Sequence, residues 1–358
     1  MLKILLVAGA RPNFMKIAPL IHELKSRNDI CYRLVHTGQH YDYKMSKTFF
    51  VDLNIPKPDY FLKVGSDSHA VQTAKIMVSF EKVCISYSPN IVIVVGDVNS
   101  TLACSITAKK LAIKVAHIEA GLRSFDREMP EELNRIVTDS ISDYYFITEI
   151  SGKVNLINEG VNKKAIFYSG NLMIDTLYYA LDKIKMKKKF SSSNYGVVTL
   201  HRPSNVDDKL ILEELIEVLN EISKKIILYF PLHPRTKKSL KLFNLNNKIS
   251  KSVHLLPPAS YLSFLHMFRD AKVIFTDSGG IQEEATVLRV PCYTFRYNTE
   301  RPITITQGTN RLVGNKKNKI LDSFNKNTFN IDKNYNIPEY WDGKSAKRII
   351  EKISTFDI

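Results

Sequence analysis

The chain has 358 residues, 44% of them apolar and 24% charged, and a formal charge of +15. At roughly 150 residues per domain this length asks for two cores, and the apolar content excludes a disordered chain. No apolar run approaches the ~20 residues of a membrane-spanning helix. The charge raises nucleic acid as a partner, but the lysines gather in stretches 183–189, 237–241 and 316–319 without interleaved aromatics. Nucleic acid is therefore not expected, and a cationic field suits a diphosphate substrate equally well.

The first ten residues, Met1 to Ala10, mimic a signal peptide, with Lys3, an apolar stretch and an Ala-x-Ala ending. The apolar core is shorter than the ~7–15 residues of a signal sequence, and Arg11-Pro12 follows at once. A buried first strand running into a glycine turn is the better reading, and a cytoplasmic protein is expected. Strand-like apolar runs then recur at 4–7, 32–36, 91–95, 115–118, 144–147 and 166–168. Helical patterns lie between them at 13–27, 69–87, 101–111, 130–140 and 152–159. Continuous β-branched runs separated by helices imply a parallel sheet covered on both faces. After Gly170 an amphipathic stretch leads into a basic, serine-rich segment, 183–194, with the character of a domain junction. Strands resume at 196–200, 225–230, 253–256 and 273–276, with a helix over 209–222. The expected fold is α/β, two doubly wound domains facing a cleft, whose ligands lie beyond the carboxyl ends of the strands. Cys31, Cys84, Cys104 and Cys292 form no C-x-x-C pair and are expected as buried free thiols. No metal site is expected.

The strand ends carry the chemistry. The first opens into Gly9-Ala10-Arg11-Pro12-Asn13-Phe14-Met15-Lys16, where Arg11 and Lys16 bring positive charge to an anion-friendly helix N-terminus. This is neither G-x-G-x-x-G nor a Walker loop, so nicotinamide and ATP lack their signatures. Asp97 and Glu119 close consecutive strands, and Glu131 begins a helix after Pro130. One such carboxylate is an ordinary helix cap; a cluster suits acid/base work. In the second half, His201-Arg202 follows a strand, and Asp277-Ser278-Gly279-Gly280 opens a helix bearing Glu284. Free N–H groups at that helix start suit a diphosphate, and Glu284 suits ribose hydroxyls.

In this order the motifs resemble the UDP-N-acetylglucosamine 2-epimerase family. The likeness rests on Gly9-Ala10-Arg11-Pro12, His36-Thr37-Gly38-Gln39-His40, Gly96-Asp97, His117-Ile118-Glu119-Ala120-Gly121-Leu122-Arg123, Pro130-Glu131-Glu132, His201-Arg202, the run from Asp277 to Glu284, and Glu300-Arg301-Pro302. The resemblance implies a GT-B fold of two Rossmann-like domains, 1–169 and 170–342. The second domain is expected to hold UDP, a helix near 343–358 to cross back onto the first, and the chain to form a homodimer. It further implies that Asp97, Glu119 and Glu131 are acid/base groups and His201 an essential histidine. Arg11, Lys16, Phe264, Ser278, Gly279, Gly280, Glu284 and Arg301 match positions that hold the uridine diphosphate. Three departures stand out: Asn13 where many members carry glutamate, Ala259 for a glutamine, and Tyr41-Asp42-Tyr43 in a segment tied to substrate activation. Whether substrate activates the enzyme stays open at this segment.

Chemistry points the same way. The C2 hydrogen of an N-acetylglucosaminyl unit has no adjacent carbonyl, so the sugar must be oxidised or UDP expelled before that proton can leave. Without a dinucleotide fingerprint, expulsion to a 2-acetamidoglucal and re-addition is the expected route, and no cofactor is needed. Three alternatives share most of these residues. They are a hydrolysing 2-epimerase releasing N-acetylmannosamine and UDP, an enzyme acting on UDP-2,3-diacetamido-glucuronic acid, and a GT-B glycosyltransferase or nucleotide-binding protein. The last would have little use for Asp97, Glu119 and Glu131.

Overall fold

A computed structural model describes residues 1–39, 50–191, 194–332 and 335–358. His40 and Tyr41-Asp42-Tyr43, Ser192 and Ser193 of the junction, and the side chain of Arg11 lie outside the described residues. The chain divides into two compact units, Met1–Tyr179 with Glu339–Ile358, and Ala180–Pro338. No helix among the described residues is long and apolar enough to cross a membrane.

The first unit is built on seven parallel strands: β1 (Leu2–Ala8), β2 (Ile30–His36), β3 (Tyr60–Phe61), β4 (Ile91–Val95), β5 (Lys114–Ile118), β6 (Tyr144–Ile147) and β7 (Ile166–Tyr168). Their order is β3-β2-β1-β4-β5-β6-β7. The sequence reverses direction between β1 and β4, paired at Ile4↔Ile91, and a crevice opens at such a switch point beyond the strand ends. Every residue of β4, Ile91-Val92-Ile93-Val94-Val95, is buried, as a central strand covered on both faces requires. Leu5, Val92 and Val94 pack with Ile76, Phe80, Ala103 and Cys104 from the covering helices. Helix Ser345–Ile353 belongs to this unit through buried Ala346, Ile349, Ile350 and Ile353. Asp175 accepts the N–H groups of Ser345 (3.1 Å) and Ala346 (2.7 Å) at its start. Phe356 beyond its end stacks on Tyr144 at 3.8 Å.

The second unit repeats the plan with six parallel strands: β8 (Tyr195–Thr199), β9 (Ile227–Pro231), β10 (Val253–Leu256), β11 (Val273–Thr276), β12 (Cys292–Thr294) and β13 (Asn310–Leu312). The order β10-β9-β8-β11-β12-β13 places its switch point between β8 and β11. Their register, Thr199↔Thr276, sets Leu200-His201 abreast of Asp277. Helix Lys209–Ser223 buries Leu212, Leu215, Ile216, Leu219 and Ile222 against this sheet. Two doubly wound α/β units are thus present. Strands expected at 91–95, 144–147, 166–168, 253–256 and 273–276 fall on the same residues, and helix His69–Tyr87 does too. The first helix runs over Arg11–Leu24, two residues earlier at its start than expected and three shorter at its end. Cys31 departs from its expectation. It is half-buried at the start of β2, where its sulfur and carbonyl both accept the Tyr87 hydroxyl, while Cys84, Cys104 and Cys292 are buried.

Candidate functional site

In the first unit the loops after β1, β4 and β5 converge on Gly96. This glycine turns at φ +68°, a conformation that strains any residue with a Cβ. A Cβ there would sit 3.0 Å from Lys16 Nζ, 3.4 Å from Glu119 Oε2 and 3.7 Å from Asn13 Nδ2, so three side chains crowd one turn. Lys16 and Glu119, both nearly buried, form an ion pair. Lys16 is thereby a counter-charge for Glu119. Glu119 itself holds φ +71°, rare for a residue with a side chain. Its own N–H and that of Ala120 both donate to the Phe146 carbonyl, fastening the turn to β6. Asn13 is a splint: its side-chain oxygen accepts the N–H groups of Gly9 and Ala10, and its amide donates to Val95 O at 2.9 Å. A carboxylate at that position has no proton for the last bond.

Asp97 follows Gly96 and is partly exposed. Arg135 holds its carboxylate at 3.1 Å, and Asn134 donates to its carbonyl at 2.9 Å. Both partners lie on helix Pro130–Ile141, whose first turn carries Glu131 and Glu132. The two glutamates part company here. Glu132 is buried, accepting the N–H groups of Ser124 and Phe125 and pairing with Arg135. Glu131 is exposed at the positive end of the helix.

The second unit gathers its polar groups at its own switch point. Asp277, wholly buried after β11, accepts the backbone N–H groups of His201 and Arg202 at 3.0 and 2.9 Å and the Asn205 amide at 3.2 Å. Its other oxygen lies 3.0 Å from His201 Nδ1. Burial pushes this carboxyl up, but the His201 ring and the N–H donors win and hold it below the ordinary range. The carboxylate therefore fixes the proton on Nδ1 and turns Nε2 of the half-exposed His201 ring outward.

Ser278 is the cap of helix Gly279–Leu288 and spends no side-chain hydrogen bond on that helix. Arg301 lies across the helix start: a Cβ on Gly279 would stand 3.1 Å from its guanidinium and 3.1 Å from Glu300 Oε1. A cation at the positive end of a helix is costly unless anions accompany it. Glu283 at 2.7 Å and Glu300 at 2.5 Å do so. Arg301 and Arg296 in turn hold the Glu300 carboxyl far below its usual range against burial. Helix N–H groups and a guanidinium braced in place form an anion cradle. Deeper in the helix, burial raises the Glu284 carboxyl to about 7, partly offset by a 2.8 Å bond from the Tyr261 hydroxyl. Phe264, on the same short helix as Tyr261, packs on Phe268 with centroids 5.6 Å apart.

Comparisons with known proteins bear on what these two clusters serve. A family profile described as UDP-N-acetylglucosamine 2-epimerase matches residues 22–354. The UDP-N-acetylglucosamine 2-epimerase of Methanocaldococcus jannaschii is 43% identical, covering 98% of each chain. The chain belongs to the UDP-N-acetylglucosamine 2-epimerase family. A crystal structure of the M. jannaschii enzyme in complex with UDP-GlcNAc and UDP aligns with a TM-score of 0.91 at 41% identity. It covers 99% of this chain and 100% of that one. A Pseudomonas aeruginosa relative, UDP-2,3-diacetamido-2,3-dideoxy-D-glucuronate 2-epimerase, is 39% identical over 90% of this chain and 91% of its own.

Within this epimerase fold, Lys16, Asp97 and Glu119 meet around Gly96, and Glu131 shares a helix with Arg135, the partner of Asp97. In the second unit Ser278, Gly279 and Gly280 form one helix start under Arg301, Glu284 lies further along that helix, and His201 stands on Asp277. In the sequence alone Asp277 and His117 stand only within motifs, and neither they nor Arg135 and Asp139 carry an assigned role. Asp277 had a usable signal, since it directly follows a strand that neighbours the one ending at His201.

Proposed function

We propose that the chain interconverts UDP-N-acetylglucosamine and UDP-N-acetylmannosamine without hydrolysis, by inverting carbon 2. A carboxylate takes the C2 proton while the C1–O bond to UDP breaks, giving 2-acetamidoglucal and UDP. UDP then re-adds at C1 as a proton returns to the opposite face of C2. The scheme moves one proton and one C–O bond each way and calls on no cofactor. Asp97, Glu119 and Glu131 are the acid/base set. Ser278, Gly279, Gly280 and Arg301 hold the diphosphate, Glu284 the ribose and Phe264 the base side, and Arg11 and Lys16 complete the charge around the substrate. His201, with Nδ1 fixed by Asp277, stabilises the departing diphosphate.

The observation that carries this reading is the corner at Gly96. Two carboxylates, Asp97 and Glu119, stand there on adjacent strand ends, each with its own cation, Arg135 and Lys16. A nucleotide-binding protein or a glycosyltransferase has no need of that corner. Incubation with UDP-N-acetylglucosamine in deuterated water, followed by NMR, tests it. The expected result is UDP-N-acetylmannosamine labelled at C2. Conversion without label rejects elimination, and free N-acetylmannosamine assigns a hydrolysing enzyme. The 39% identical relative also makes UDP-2,3-diacetamido-glucuronic acid a substrate to run in parallel.

The same reading includes a cytoplasmic homodimer that supplies precursors for surface polysaccharide. Leu2–Ala8 form β1, between β2 and β4 in the first sheet. Helix His69–Tyr87 exposes Val71, Val78 and Ile85 at seven-residue spacing, and helix Pro130–Ile141 exposes Leu133 and Val137. Helix Asn99–Lys110 packs against both. Such an apolar face suits a second copy, and sedimentation at equilibrium tests it.

A further inference from the structure

The acid/base reading leaves His117 and the buried groups around it in the first unit without a role. His117, on β5, is completely buried, with Nε2 2.8 Å from the Gly96 carbonyl and Nδ1 2.7 Å from Asp139 Oδ1. A carbonyl only accepts, so Nε2 carries a proton. Asp139 is also fully buried; its other oxygen takes the Gly121 N–H at 3.0 Å and the Arg123 guanidinium at 2.7 Å. Three donors around one carboxylate leave it ionised. The His117 and Arg123 charges hold it below its ordinary range although burial pushes the other way. Nδ1 therefore carries a proton as well, and the ring donates on both sides. Arg123 also grips Glu159 at 2.6 and 2.8 Å, so two cations and two carboxylates balance. A buried ion cluster needs that balance to offset its desolvation.

The partners of this clasp are the carriers of the three carboxylates. Gly96 precedes Asp97, Gly121 lies two residues beyond Glu119, and Asp139 is about two turns beyond Glu131 on helix Pro130–Ile141. We propose that His117, doubly protonated and seated on Asp139, is a positioning residue that locks the three carboxylate-bearing segments into one frame. It touches no substrate. The inference rests on the acid/base reading of Asp97, Glu119 and Glu131.

The test uses the full chain with His117→Ala, His117→Gln and Asp139→Asn. His117→Ala is expected to lower kcat for C2 deuterium exchange by about 100-fold, the scale of a misplacement near 1 Å. UDP affinity by calorimetry is expected to change little by comparison, because Ser278, Gly279, Gly280, Glu284 and Arg301 of the proposed nucleotide set lie in Ala180–Pro338. The glutamine amide can still donate to the Gly96 carbonyl, so His117→Gln is expected to recover part of kcat. A general loss of fold would not produce that pattern. Asp139→Asn is expected to fall between. If His117→Ala does not fold, His117→Gln alone decides, against wild type. A folded variant with wild-type kcat, or alanine and glutamine variants equally slow, overturns the proposal. Nitrogen-15 NMR of histidine-labelled wild-type protein adds an arm independent of catalysis. Both ring nitrogens of one solvent-protected histidine are expected to carry protons, and a bare nitrogen there overturns the clasp. A wild-type protein without C2 exchange would instead reject the epimerase reading, leaving the NMR result to judge the clasp.

Discussion

Replacing Asp277 by asparagine changes one atom and reverses a proton. The carboxylate has two duties: Oδ2 accepts the backbone N–H groups of His201 and Arg202 and the Asn205 amide, and Oδ1 accepts from His201 Nδ1 and shares the His201 N–H. An asparagine has one oxygen, and the three donors around Oδ2 claim it. The new NH2 then faces Nδ1 and forces that nitrogen to accept, so the ring proton moves to Nε2. His201 can still offer a neutral N–H to a phosphate but loses the anion that supported a charged ring. Exchanging a charged hydrogen bond of about 1.5–3 kcal/mol for a neutral one of about 0.5–1.5 kcal/mol weakens UDP binding by about 5- to 12-fold. Turnover is expected to fall further, by ~100-fold or more, since charge on the diphosphate grows as it departs. Calorimetry with UDP and C2 deuterium exchange by NMR separate the two losses. There is also a stability signature. The folded value of Asp277 lies below the unfolded one, so its stabilisation is present above the usual carboxylate range and is lost as pH falls through the folded value. In Asp277→Asn that part of acid destabilisation disappears. A variant that binds UDP and turns over like wild type would refute the assigned orientation of His201.

Asp97→Asn and Glu131→Gln are expected to reduce turnover ~100- to 10,000-fold with UDP affinity nearly unchanged, because an amide keeps the shape but accepts no proton; near-normal rates in both would make the carboxylates structural. Glu284 titrates in the opposite sense to Asp277. Its folded value, about 7, lies above the unfolded one, so the fold loses stability as pH rises from the carboxylate range through about 7. Thermal melts of Glu284→Gln are expected to lack this slope, while its UDP affinity falls; a slope equal to wild type's would place the titration elsewhere. Gly279→Ala sets a Cβ 3.1 Å from the Arg301 guanidinium and Glu300. Alanine favours a helix over glycine by up to ~1 kcal/mol, so the expected pair is an unlowered melting temperature with weakened UDP binding. Weaker binding without any shift of Arg301 in a crystal structure would reject the cause.

What the sequence makes legible here is whatever a single segment decides alone. The β4 run Ile91-Val92-Ile93-Val94-Val95 is continuous because both its faces are covered, so its place in a parallel sheet can be read directly. Strands β12 and β13, of three residues each, and β3, of two, carry too little periodicity to separate from loop; their neighbours in the sheet define them. The same division runs through the site. Asp97, Glu119 and His201 announce themselves by standing at strand ends. Their working states, however, come from Arg135, Lys16 and Asp277, which lie 38 and 103 residues away for the first two and 76 for the third. Asn13 shows why a motif position can mislead in isolation. Its place beside Arg11 suggests ligand contact, yet all of its side-chain bonds go to the backbone of Gly9, Ala10 and Val95. Glu131 and Glu132 are indistinguishable as letters, and only the loop from Ser124 folding back on Glu132 sorts the exposed carboxylate from the structural one. Chemistry in this fold is thus assigned twice: residue type and spacing nominate a group, and the long-range partner that fixes its proton or charge decides what it can do.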